Sequence, residues 1–161
     1  MTSAVLSTVL IALAVSAASD TSPSDPCATR KPSASIEAFV VMPAMRARDS
    51  VVSAAVCVVT ARSSTAKIGS YHGELYFDST AASVLRVEKT TDGLRVENTS
   101  LAGRVNFAGA APTGFSTRML LNLKLRVRKA GAHPRLRLKM LELNATDGRN
   151  LMKQLVISAA P

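Results

Sequence analysis

Two histidines, two cysteines and eleven acidic residues are the groups this 161-residue chain offers for catalysis or metal binding, and their spacing does not gather them. His72 sits inside an alternating apolar run, while His133 precedes Pro134 in a turn with no obvious partner. Two histidines and two cysteines so placed do not match a zinc spacing. Glu74 and Asp78 fall on one side of the same run and could sit beside one another, but a lone acidic pair on a strand is ordinarily solvated. Asn144 to Gly148 is rich in oxygen ligands and fits either a calcium loop or a plain turn, the turn being the commoner use of such residues. Asn98-Thr99-Ser100 and Asn144-Ala145-Thr146 fit the glycosylation pattern, which matters only in a host that modifies such sites. No base, nucleophile or metal cluster can be assembled, so the residues point away from an enzyme and call for no cofactor or metal.

The N-terminus points to export. Residues 1–18 form an apolar stretch ending in small residues, as in the core and cleavage region of a secretory signal, with cleavage expected near Ala18. The stretch carries no Lys or Arg before its apolar part, which leaves an uncleaved anchor as the alternative, although a spanning helix needs about 20 apolar residues. The expected location is secreted, periplasmic or cell-surface, with no membrane span after cleavage. Residues 19–35, rich in Ser, Thr, Pro, Asp and Lys, read as a disordered linker. In an exported chain, Cys27 and the apolar-flanked Cys57 most simply form one disulfide, which would pin the linker to a core strand; two free thiols is the alternative.

The elements that must position any binding residues read as strands. Tyr71, Gly73, Leu75 and Phe77 alternate with His72, Glu74, Tyr76 and Asp78, the period of a strand with one buried face. Val51 to Thr60 is apolar on both faces, as a central strand would be. In Met119 to Val127, the odd-numbered residues Met119, Leu121, Leu123, Leu125 and Val127 mark one buried face. Ile36 to Met42, Val84 to Glu88, Leu94 to Glu97, Arg104 to Ala108 and Leu151 to Ser158 are shorter runs bounded by turn residues. After the Gly131 to Pro134 turn, Leu136 and Leu138 face inward, and a phase slip to Leu141 and Leu143 predicts a bulge near Met140. About nine short strands at such spacing predict an all-β antiparallel sandwich. After Ala18 no apolar stripe of helical period lasts three turns.

The order of these blocks resembles the cohesin domain family. Val51 to Val56, Ile68-Gly69-Ser70, Glu74 to Asp78 and Val84 to Val87 look like the first half of a cohesin. Gly103 to Ala108, the Gly114 loop, Leu120 to Val127 and the Asp147-Gly148 turn follow as the second half. The likeness covers roughly Ile36 to Ser158 and implies a nine-stranded jelly roll over residues 36–161, of the wider superfamily that also holds carbohydrate-binding modules. It implies a protein-docking face carrying His72, Glu74, Tyr76, Arg95, Arg104, Asn106, Arg135 and Arg137, with Glu97 beside them. On their own these residues would equally suit the solvated side of a sheet. The resemblance also assigns the basic runs Lys124, Arg126, Arg128 and Arg135, Arg137, Lys139 to opposite sheets, which breaks up what a simple hairpin would make one anion-binding stripe.

Those expectations imply a secreted module that docks a protein partner, dockerin-like or from the cell envelope, with a polysaccharide-binding module on the same fold as the alternative. With no Trp, two Tyr and four Phe, stacking platforms for sugars are scarce, which favours a protein. The net charge of +9 favours anionic partners, but no nucleic-acid motif accompanies it.

Overall fold

A computed structural model describes residues 25–28, 30–43, 47–61, 64–89, 92–131 and 135–158. The expected signal segment and His133 lie outside these residues. Among the described residues nine strands form two packed sheets: β1 (Ile36–Val41), β2 (Val51–Thr60), β3 (Ile68–Tyr76), β4 (Ala82–Val87), β5 (Leu94–Asn98), β6 (Arg104–Ala110), β7 (Met119–Val127), β8 (Arg137–Ala145) and β9 (Leu155–Ile157). One sheet runs β4-β7-β2-β1-β9, the other β5-β6-β3-β8. The basic strands β7 and β8 therefore belong to opposite sheets, as the resemblance implied. Among the described residues pairing is antiparallel with one exception, the parallel contact between β1 and β9. The final run divides: Leu151 is buried, Met152–Gln154 makes a 3-10 turn, and only three residues join the sheet.

The alternating residues meet between the sheets. Tyr71, Leu75, Val105, Phe107, Leu138 and Leu143 from the four-stranded sheet pack on Val56, Val58, Leu121, Leu123 and Leu125 from the other. Gly73 and Gly109 face this core because a Cβ on Gly73 would lie 2.5 Å from the Phe107 ring, and one on Gly109 2.6 Å from the Tyr71 ring. Two bulges reset the phase. In β8, Met140 opposes Gly73 and Glu142 opposes His72, so Leu141 is the extra residue and turns outward. The expected bulge is thus present, but Leu143 resumes the core face without Leu141. In β7, Val56 pairs with Leu121 and Cys57 with Met119, so Leu120 is the extra residue. Leu120 enters the main core while Met119 joins a second cluster, correcting the simple alternation.

That second cluster covers the outer face of β1 and β2 and explains why β2 is apolar on both sides. Phe39, Ala55, Cys57 and Val59 are buried there beneath the described part of the segment read as a linker. Cys27 and Cys57 are bridged with Cα atoms 5.5 Å apart, and Arg30 stacks on Phe39 at 5.0 Å. Residues 25–28 and 30–35 form a strap that belongs to the folded unit. The strap is anchored by Glu37, the one fully buried charged residue among those described. Its carboxylate accepts from Ser33 N–H at 2.7 Å, from the Ser33 and Ser158 hydroxyls, and pairs with Arg30 at 2.8 Å. Burial alone would raise its pKa, but these hydrogen bonds and the Arg30 charge outweigh it and hold the carboxyl below its ordinary value.

Candidate partner-binding face

The outer face of the four-stranded sheet is built in rows set by register. Val96, Ala108, His72 and Glu142 lie side by side across the four strands, followed by Asn98, Asn106, Glu74 and Lys139, and then by Arg104, Tyr76 and Arg137. Six of the eight residues expected at a docking face, His72, Glu74, Tyr76, Arg104, Asn106 and Arg137, are brought together here. Arg135 precedes β8 and is exposed at the end of the same sheet.

Glu74 organises the middle of the face. Its Oε2 accepts the Tyr76 hydroxyl at 2.6 Å, Arg104 approaches Oε1 at 3.8 Å, and Lys139 approaches Oε2 at 3.9 Å. The Tyr76 hydrogen bond, then the Lys139 and Arg104 charges, hold the carboxyl below its ordinary value despite partial desolvation. Arg137 lies over the Tyr76 ring at 4.8 Å, so both interface-type side chains are braced against each other. Arg104 Nε and Asn106 Oδ1 are enclosed without a hydrogen-bond partner among the described residues. An unmatched donor beside an unmatched acceptor leaves this patch short of the hydrogen bonds its groups can make.

Arg95 does not belong to the face. It pairs with Gly109, whose missing side chain would point at the core, so Arg95 points between the sheets, and Glu97 opposite Phe107 does the same. The strand phase of β5 is therefore the reverse of the expected one, and Leu94 and Val96 are outermost, 71% and 62% exposed. Arg95 instead closes one end of the sandwich: its guanidinium donates to the carbonyls of Met119 and Leu120 at 2.7 and 3.0 Å, meets Asp92 at 2.6 Å, and stacks over Phe115 at 4.8 Å. Asp92 in turn accepts the backbone N–H groups of Ser116 and Thr117 at 2.9 and 3.0 Å. Although burial raises the Asp92 pKa, these donors hold it at about 2.

Neither a protein-family model nor a curated protein matches the sequence. Solved structures do match. A non-cellulosomal cohesin from the archaeon Archaeoglobus fulgidus superposes with a TM-score of 0.58 at 18% identity, over 77% of this chain and 86% of that chain. A chain of a type I cohesin–dockerin complex from Clostridium thermocellum gives 0.58 at 15% identity, over 80% and 94%. The fold is that of a cohesin. A cohesin module of a family 33 glycoside hydrolase from Clostridium perfringens agrees, with a TM-score of 0.54 at 12% identity over 70% of this chain and 87% of that one.

In this cohesin fold, sequence reasoning missed the apolar members of the face. An outward Arg95 and Glu97 leave Leu94 and Val96 for the core, and a β8 bulge placed at Met140, one residue before the extra residue Leu141, does the same to Leu141. The missed signal was the Asp92–Arg95 spacing, which sets an ion pair across the turn entering β5. Glu142 and Asn144 add a polar margin, with Asn144 Nδ2 donating to Glu142 at 2.6 Å and to Ser70 at 3.1 Å. Of Asn144 to Gly148, the first two residues end β8 and the rest turn, with Gly148 at φ 81° and the Asp147 carboxylate turned to Arg149 at 2.7 Å. Among the described residues no three His, Cys, Asp or Glu side chains cluster as metal ligands.

Proposed function

We propose that this chain is an exported, non-catalytic docking module that binds a protein partner through the outer face of its four-stranded sheet. The observation that carries the reading is the face itself. Exposed Leu94, Val96 and Leu141 flank a braced Glu74–Tyr76–Arg104–Arg137 cluster, combining apolar area with the Tyr and Arg anchors typical of interfaces. Its counterpart, the five-stranded sheet, has its β1 and β2 half closed by the strap. The Clostridium thermocellum neighbour comes from a complex of a cohesin with a dockerin, which supports a protein of that class as partner. Export is supported by the apolar N-terminus and by the Cys27–Cys57 bridge, since disulfides persist in oxidising compartments. The test is a capture from the native secretome with the disulfide-bonded chain, beside a Tyr76→Ala, Arg137→Ala double variant. A partner held by the first and lost by the second supports docking at this face; a partner held equally by both removes it.

A further inference from the structure

The strap covers only half of the outer face of the five-stranded sheet. Between it and β7 runs a groove of about 940 Å³, within the range of roughly 300–1,000 Å³ usual for ligand sites. Val41, Ala55 and Met119 contribute an apolar floor, and Ser53, Asn122 and Lys124 its polar groups. Register places Arg86 directly beside Lys124, with Arg126 two residues farther along β7 on the same face. Arg118 stands on the groove wall. Glu88 is taken up by Arg86 at 2.9 Å and Lys124 donates to Ser53 at 2.7 Å, so Lys124, Arg118 and Arg126 have no ion-pair partner among the described residues. Asp25 is the remaining acid of the lining, and it accepts the Cys27 N–H. The wall bearing Ser116 and Thr117 is fixed in advance by Asp92 and Arg95.

We propose that this groove binds an acidic polysaccharide, its carboxylate or sulfate groups meeting Lys124 and Arg118 and its hydroxyls meeting Ser53, Asn122 and Thr117. Charge complementarity selects an anion. Neutral glycans, held by stacking, lack a platform here. Tyr76 lies on the other sheet, Tyr71, Phe77 and Phe107 are in the core, Phe115 packs against the core beneath Arg95, and Phe39 is under Arg30. An acidic peptide is disfavoured by the ladder. Strands β7 and β2 are interior to their sheet, so their backbone groups are already paired and cannot match the amides of an extended chain. A glycan brings no such amides. The site is on the opposite sheet from the docking face, so either can fail without the other.

Calorimetric titration of the disulfide-bonded protein decides the matter, with tetragalacturonate as probe and the uncharged galactose tetramer and a glutamate-rich peptide as comparisons. Tetragalacturonate should bind, more weakly as salt rises. Lys124→Gln with Arg118→Gln should lower its affinity about ten-fold or more, while Tyr76→Ala with Arg137→Ala leaves it unchanged. Gln at position 124 keeps a donor for Ser53, and Arg118 is exposed, so the variant should keep its fold; Arg118→Gln alone, expected to weaken binding in the same direction, serves as a second check. The proposal is overturned by no binding, by equal binding of the neutral tetramer, by a glutamate peptide that binds as tightly, or by variants that bind as the parent does.

Discussion

Arg95 shows how one side chain redirects a strand. A guanidinium with only 7% of its side chain exposed is tolerated between the sheets because two carbonyls and the Asp92 carboxylate meet its donors. Replacing Asp92 with Ala should cost about 3 kcal/mol in urea unfolding, since it strands that cation and frees the Ser116 and Thr117 amides. The pH dependence has a definite sign. The fold lowers the Asp92 pKa from 3.8 to about 2, so its stabilisation is complete above the ordinary value and is lost as pH falls through about 2. Asp92 should contribute roughly 2 kcal/mol of the parent protein's decline between pH 5 and pH 1.5, so the decline in Asp92→Asn should be smaller by about that amount, the rest coming from other lowered carboxylates such as Glu37 and Glu74. On the docking face, Tyr76→Ala with Arg137→Ala should weaken partner binding by about 2 kcal/mol or more while thermal unfolding changes little. The linked contacts, Tyr76 to Glu74 and Arg137 to Tyr76, make these losses non-additive.

At the scale of elements, the strap has the largest consequence. It closes over Phe39 and Val59, and its disulfide spans 30 residues, so the chain-entropy argument gives about 3–4 kcal/mol of stabilisation at 25 °C. Cys27→Ser should lower the urea midpoint accordingly, and reduction of the parent protein should match it. A fragment starting at Ile36 should be less stable still, since it leaves Glu37 buried without Ser33 and Arg30. Strand existence was legible throughout: β2 and β7 occupy the residues their apolar runs mark. Phase was less so. The β8 bulge showed in the slipped leucines, whereas the β7 bulge at Leu120 left no trace, because Met119 and Leu120 are both apolar and either suits a core position. Of the strap only the anchorage through Cys27 was legible: its composition is otherwise polar, Cys27 is the fully buried member among its described residues, and the Arg30 guanidinium lies over Phe39.

The molecule as a whole presents two unlike surfaces, a braced charged-and-apolar sheet face and, opposite it, a cationic groove beside the strap. The proposed export accords with the bridged cysteine pair, since disulfides persist in an oxidising exterior. N-terminal sequencing of secreted protein should return a start near Ala18 or Ser19, and an intact Met1 would count against a cleaved signal.

Alternation, turn residues and block order were enough to specify an all-β sandwich of nine strands, the assignment of β7 and β8 to different sheets through the family likeness, and six residues of one outward face. Local periodicity carries the strands and their faces because a strand's two faces differ in what they contact, whereas the sheet assignment came from the order of the blocks. What only the tertiary structure decided was where unlike segments meet. The parallel closure of β9 on β1, the strap over the second cluster, the inward turn of Arg95 and the groove wall built by Asp92 all join residues distant in sequence. In each, a buried polar group or an uncovered apolar face finds its partner across the fold, and periodicity along a single strand holds no record of it.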